Sequence, residues 1–216
     1  MAELPHDYGY ERPGLGCSHD YLLPKVIEIL NARATAQSRQ RIFELGCGNG
    51  SVANALQQLG FQVQGIDYSE SGIRVAREHY PHLELRVGSA YDDLAGEYGK
   101  FPFVLSLEVV EHLFFPRQFA KTLYELLDDG GTAIISTPYH GYWKNLALAL
   151  AGKMDAHFTA LWDGGHIKFW SMVTMASLLT EAGFDEIRFY RVGRVPALAK
   201  SMIVVASKAE RPPPAS

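Results

Sequence analysis

The stretch Ile42-Phe-Glu-Leu-Gly-Cys-Gly-Asn-Gly50, together with Asp67, carries the first chemistry legible in this chain. A short apolar run containing an acid is followed by glycines at alternate positions, Gly46, Gly48 and Gly50, and then by a helical pattern. Glycine lets the backbone turn sharply and approach a ligand with no Cβ in the way. The N-terminal amides of the following helix would point toward that ligand. Asp67 closes the next apolar run, where it can accept hydrogen bonds from a ribose diol. A dinucleotide turn needs G-x-G-x-x-G, and the spacing here departs from it by one residue. Glu44 puts a negative charge beside the loop, which repels a pyrophosphate and suits a ligand carrying positive charge.

A second cluster lies in Ser106-Leu-Glu-Val-Val-Glu-His-Leu113. Glu108, Glu111 and His112 stand at i, i+3 and i+4, so a helical turn starting there would face all three one way and pack Val109 and Val110 inward. Further along, His140 and His166 are the candidates for a general base, because a neutral imidazole can take a hydroxyl proton near pH 7. His112 is a candidate for the same chemistry, and His157 a lesser one. Taken singly, each histidine has a purely structural alternative.

These residues sit on a regular alternation of elements. A helix is expected from His19 to Asn31, a strand at Ile42–Leu45, and a helix capped by Ser51 and ended by Gly60. Strand Phe61–Ile66, helix Ser69–His79 and strand Leu83–Val87 follow. Next come strand Phe103–Leu107, helix Pro116–Leu127, a turn at Asp129-Gly-Gly131 and strand Thr132–Ser136. Alternating strands and helices predict a parallel α/β sheet. The stretch 137–165 reads as irregular, and Ser171–Ala182 as the last helix. The final strands, Phe184–Val192 and Ser201–Ser207, are joined by a link too short for a helical crossover and should be antiparallel. Residues 1–18 read as an irregular arm and 209–216 as a disordered tail.

With 216 residues, 47% of them hydrophobic, the chain can build one full core. A net charge of −4 without charged blocks gives no reason to expect a nucleic-acid partner. No secretory leader pattern is visible and no apolar run reaches the roughly 18 residues of a membrane span. Cys17 and Cys47 read as free thiols, consistent with a reducing, cytoplasmic setting. Nothing in the sequence sets the oligomeric state.

The spelling Glu44-x-Gly46-x-Gly48-x-Gly50 resembles motif I of the class I S-adenosylmethionine-dependent methyltransferases. The likeness runs from about His19 to Lys208, so residues 19–208 would be a single methyltransferase domain. The implied fold is α/β: a Rossmann-like seven-stranded mixed sheet with helices on both faces and one antiparallel strand. The implied cofactor is S-adenosyl-L-methionine. By this likeness Glu44, Gly46, Cys47, Gly48, Asn49 and Gly50 lie against its methionine part and ribose. Asp67, flanked by Tyr68 and Ser69, takes the ribose hydroxyls, and Leu107 offers backbone groups to the adenosyl moiety. Ser89 and Ala90 fall at the adenine position, where an Asp is common in place of Ser89; Asp92 is the alternative there, unless it only caps a helix.

Glu108-x-x-Glu111-His112 looks like the post-strand motif of the ubiquinone-biosynthesis O-methyltransferases. That likeness implies a divalent cation such as Mg2+ on Glu108, Glu111 and His112, with the alternative that Glu111 and His112 only shape the cofactor pocket. The expected reaction is O-methylation of a small phenol, quinone precursor or sugar hydroxyl. Residues 137–170 would form a lid over this small-molecule substrate; contact with a membrane surface is the lesser reading, since the polar face is poor in Lys and Arg. The N-terminal region, with Tyr8, Tyr10 and Tyr21, often closes over the cofactor in this fold. Two other classes stay open: a nicotinamide-dependent oxidoreductase, and a non-catalytic cofactor-binding protein on the same fold.

Overall fold

The computed structural model describes residues 7–34 and 41–210. The expected tail from Arg211 onward, and residues 1–6 of the arm, lie outside the described residues. Strands β1 (Arg41–Leu45), β2 (Gln62–Asp67), β3 (Glu84–Val87), β4 (Phe101–Leu107), β5 (Leu127–Pro138), β6 (Asp185–Val192) and β7 (Ser201–Ser207) form one sheet in the order β3-β2-β1-β4-β5-β7-β6. The first five are parallel. β7 runs antiparallel to both β5 and β6, as the short link between the last two strands requires. The chain builds outward from β1 to β3, then returns to the other side of β1 with β4. Ligands of open α/β sheets bind beyond the carboxyl ends of the strands at such a reversal. The glycine loop leaves β1 and the acid–histidine cluster leaves β4, so the topology sets them side by side.

Alternation along the strands sends successive side chains to opposite faces. Ile42, Phe103, Leu105 and Val205 meet helices α1 (His19–Arg33), α2 (Ser51–Gln58) and α3 (Glu70–His79) on one face. Phe43, Val104, Ile135 and Val204 meet α4 (Leu94–Tyr98), α5 (Pro116–Glu125) and, through Met175 and Leu179, α8 (Met172–Glu181) on the other. The two layers fix the sheet from both sides and leave its carboxyl edge to the loops.

Four local expectations are corrected. Gly50, not Ser51, is the cap residue of α2: it sits at φ +75°, in the left-handed region that favours glycine, and Ser51 is the first helical residue. The Asp129-Gly-Gly131 turn does not precede the fifth strand but lies within it, as an excursion between the pairings Phe101–Leu127 and Phe103–Thr132. The short helix α4 went unseen; Asp93 caps it by accepting from the Gly96 amide at 3.1 Å. The stretch 137–165 contains helices α6 (Tyr142–Leu150) and α7 (Met154–Phe158), neither of which buries a residue fully, so no single apolar face marks them in the sequence. Among the described residues no helix is long and apolar enough to cross a membrane.

Candidate active site

The glycine loop is held by close contacts that leave no room for side chains. A Cβ on Gly46 would collide with Val109, which comes from the turn after β4. Gly48 adopts φ +51°, and a Cβ there would lie 2.6 Å from the Tyr10 hydroxyl. Asp67 fastens the loop to β2: one carboxylate oxygen accepts from the Gly48 amide and the other from the Ser69 amide, both at 2.7 Å. Burial raises its pKa against the effect of those two bonds. Glu44 is 2% exposed and one of its oxygens has no partner. Burial first, then the charge of Asp67, pushes its carboxyl well above the usual range.

The other predicted cofactor positions divide into two groups. Cys47 is buried, with its amide on the Ile66 carbonyl. Leu107 ends β4, nearly buried, opposite Ser136. Ser69 caps α3 by accepting from the Gly72 amide. Asn49, by contrast, is turned to the arm, donating to the Arg12 and Gly14 carbonyls. Tyr68 is 42% exposed. Ser89 is engaged locally: its hydroxyl accepts from the Tyr91 amide and its own amide donates to Asp92. Ala90 is half-buried beside it, and Asp92 serves this turn rather than a helix cap.

The arm lies over this region. Tyr10 donates its amide to Ser71, and its ring covers the meeting point of Gly48 and Gly72. Asp7 accepts from the Ser71 amide at 2.9 Å and from the Ser69 and Ser71 hydroxyls. Asp7 and Ser71 were not anticipated; no spacing or motif distinguishes them from ordinary surface residues. Tyr8 stacks on Tyr10 and meets His112 and Trp162 edge-on, which joins the arm to the 137–170 segment.

The cluster after β4 differs from the helical turn expected of it. Glu108 takes φ +56°, and the turn that follows, Val110–His112, is a 3-10 turn. Glu108 is not part of the group of ligand atoms that Glu111 and His112 enter. Its carboxylate accepts from Ser136 Oγ at 2.8 Å and from Ser201 Oγ at 3.5 Å, and Tyr21 reaches Ser201 at 3.3 Å. Burial raises it to about 7. Ser136 and Ser201 were also not anticipated; they arrive through the β5–β7 register.

The residue that joins Glu111 and His112 is His166. Ligand atoms of the three lie within 4.8 Å of one another, and His166 Nε2 is 4.0 Å from Glu111 Oε1. The Ile167 and Lys168 amides donate to the Glu111 carbonyl, which pins the end of the 137–170 segment against this turn. Glu111 is fully buried and neither carboxylate oxygen has a partner. Burial and Glu108 hold it well above the usual range. His112 Nδ1 faces the Gly164 carbonyl at 2.9 Å. Burial lowers His112, and burial with His112 and His157 nearby lowers His166 to about 4, so both rings are neutral at pH 7. His140 is 8% exposed, ringed by His157, Phe158 and Phe169, and likewise lowered to about 4.

This arrangement sets the glycine loop with Asp67 at the same sheet edge as neutral imidazoles beside a buried carboxyl. A family model described as a methyltransferase domain matches residues 19–188. A ubiquinone biosynthesis O-methyltransferase of Caulobacter sp. (strain K31) is 36% identical over 126 residues, 56% of this chain and 48% of that protein. One from Cereibacter sphaeroides is 32% identical over 154 residues, 68% of this chain and 61% of that protein. The chain thus spans about half to three-fifths of the length of these curated relatives. Among solved structures, the methyltransferase domain of bacterial CtHen1 is similar at a TM-score of 0.64 and 21% identity, over 86% of this chain and 97% of that one. Haemonchus contortus phosphoethanolamine N-methyltransferase 2, in complex with S-adenosyl-L-methionine, is similar at 0.58 and 15%, over 87% and 53%. The glycine loop with its two acids, the sheet order and the matched family model together show that the chain belongs to the S-adenosylmethionine-dependent methyltransferases.

Proposed function

We propose that this chain methylates an oxygen nucleophile, a small phenol, quinone precursor or sugar hydroxyl, with His166 as the base. The observation that carries this reading is the neutral His166 ring set 4.0 Å from the buried, unpartnered Glu111, on the same sheet edge as the glycine loop. The relatives' names favour oxygen as the acceptor atom. S-adenosylmethionine, when bound, supplies an electrophilic methyl carbon and a good leaving group. The protein's part is alignment, exclusion of water and removal of the hydroxyl proton. Asp67 and the Gly48 amide fix the ribose side, and Glu44 faces the positive charge of the methionine part. Tyr8 and Trp162 close over His112 and His166. His166 accepts the hydroxyl proton at its ring nitrogen, 4.0 Å from the Glu111 carboxyl.

The unpartnered Glu111 oxygens also favour a second reading, in which Glu111, His112 and His166 hold a divalent cation. Two imidazoles and a carboxylate suit Mn2+ or Zn2+ better than Mg2+, which prefers oxygen ligands. The fit is with His166 in the place expected of Glu108. One experiment tests both readings: methyl transfer from labelled cofactor to a catechol panel, with and without chelator. Transfer to oxygen that survives chelation supports His166 acting alone. Loss on chelation with recovery on Mn2+ supports the cation. No transfer to any hydroxyl, despite stabilisation by S-adenosylhomocysteine, refutes O-methylation.

A further inference from the structure

The arm crosses the glycine loop as a strap tied to the helices on either side. At one end Asp7 accepts from the Ser71 amide at 2.9 Å and the Ser71 hydroxyl at 2.8 Å, in the first turn of α3. At the other end the Gly14 amide donates to Ser51 Oγ at 2.8 Å, at the start of α2, and Asn49 donates to the Arg12 and Gly14 carbonyls. Between these ties the Tyr10 ring lies on Gly48 and Gly72. Gly9 takes φ +70°, with nothing within 4 Å of the Cβ it lacks. Conformation, not space, therefore favours glycine there. That left-handed residue separates two tyrosines whose rings stack at 5.4 Å.

Tyr8 carries the strap across to the histidines. Its ring meets His112 edge-on at 5.7 Å and Trp162 edge-on at 6.0 Å. Those two rings meet each other at 6.0 Å, and they pack on His166 at 4.9 Å and 5.4 Å respectively. Tilted and edge-on ring pairs at these spacings are favourable and fix ring orientation. Tyr8 is 50% exposed and Trp162 44%, so neither is held by the core. The Trp162 backbone bonds within its own turn, to Thr159 and Gly165, and His112 Nδ1 faces the next carbonyl along, that of Gly164. The place of Trp162 over the histidines is thus set by ring contacts, one of which comes from the arm.

We propose that Tyr8 is a positioning residue for methyl transfer, linking the seating of the arm on the glycine loop to the placing of Trp162 and His112 around His166. This rests on the reading that the acceptor meets His166 at this sheet edge. Tyr8 and Tyr10 are stacked on one strap, so steadying the strap over an occupied loop steadies Trp162 as well. The wall around His166 then becomes fixed with the methyl donor already in place. That order of events suits a reaction in which the donor binds before the acceptor.

The test labels the full chain with fluorotryptophan and follows its three tryptophans by fluorine NMR while S-adenosylhomocysteine is added in the presence of chelator. The line lost in Trp162→Phe is that of Trp162. In the wild type this line should shift saturably with S-adenosylhomocysteine, while that of Trp143, exposed on α6, stays in place. In Tyr8→Ala the Trp162 line should no longer follow the ligand, and Tyr8→Phe, which keeps the ring, should restore the response. Affinity for S-adenosylhomocysteine, measured by calorimetry, should change less than about fivefold in Tyr8→Ala, the low end of coupling between sites. A larger loss would make Tyr8 part of the cofactor's own site and overturn the positioning role. A Trp162 line indifferent to S-adenosylhomocysteine in the wild type would overturn it too. So would a line that follows the ligand equally in Tyr8→Ala, even with a lowered melting temperature, since Tyr8 would then be structural only. The readout needs no methyl acceptor, so it stands or falls separately from the role of His166, which methyl transfer to the catechol panel reads.

Discussion

Glu108→Gln should flatten the pH dependence of stability in the cofactor-free protein. Glu108 is buried after β4, bonded to Ser136 and Ser201, and raised from 4.5 to about 7. A carboxyl raised in the folded state binds its proton more tightly there than in the unfolded chain. Its stabilising contribution is complete below pH 4.5 and is lost as the pH climbs through about 7. At roughly 1.4 kcal/mol per pKa unit, the loss amounts to about 3 kcal/mol. A glutamine keeps the acceptor for Ser136 Oγ and never ionises, so the variant should match the wild type within about 1 kcal/mol at pH 4.5. At pH 8 it should be the more stable by up to about 3 kcal/mol. Glu111, also raised by burial, contributes its own slope to both proteins, and the difference between them isolates Glu108 and its repulsion of Glu111. Urea unfolding at pH 4.5, 6 and 8 in the presence of chelator reads this directly. Parallel curves for the two proteins would refute the assignment of Glu108 as a buried, proton-holding carboxyl.

Three further outcomes are expected. Gly48→Ala places a Cβ at φ +51° and 2.6 Å from the Tyr10 hydroxyl; it should cost about 1–3 kcal/mol in thermal or urea unfolding and weaken S-adenosylhomocysteine measured by calorimetry. Asp67→Asn cannot accept from both the Gly48 and Ser69 amides without facing one of them with its own N–H. Cofactor affinity should fall at least about tenfold, and unchanged affinity would remove Asp67 from the site. His166→Ala should lower kcat by about a hundredfold or more while leaving S-adenosylhomocysteine binding intact. A fall in affinity with kcat preserved would make His166 a structural residue.

The glycine loop was legible because it depends on backbone shape. Left-handed turns at Gly46, Gly48 and Gly50 leave a glycine signature at fixed spacing, and Asp67 follows one helix and one strand later by topology alone. The Glu108 group shows where that legibility stops. Its residue types were plain, but its geometry was not, because the choice between an α-helical and a 3-10 turn is made by tertiary contacts. Glu108 is drawn to Ser136 and Ser201, which reach it from β5 and β7. No local pattern in the sequence records that meeting.

The same reasoning explains why His166 replaces Glu108 beside Glu111. The amides of Ile167 and Lys168 bond to the Glu111 carbonyl, so a segment more than fifty positions downstream is moored to the turn largely through backbone, with the His112 and Trp170 rings adding one bond each. Backbone bonds of this kind carry no residue preference and leave no motif. Once that mooring is made, His166 is delivered to the buried carboxyl and Trp162 to its cover over His112. The group around Glu108 and Glu111 is therefore assembled from β5, β7, one 3-10 turn, the arm and the 137–170 segment, each contributing one or two side chains. On the proposed reading, a site built this way changes its acceptor by altering the 137–170 segment while the glycine loop and Asp67 stay fixed, which would separate the methyl donor's binding from the acceptor's identity.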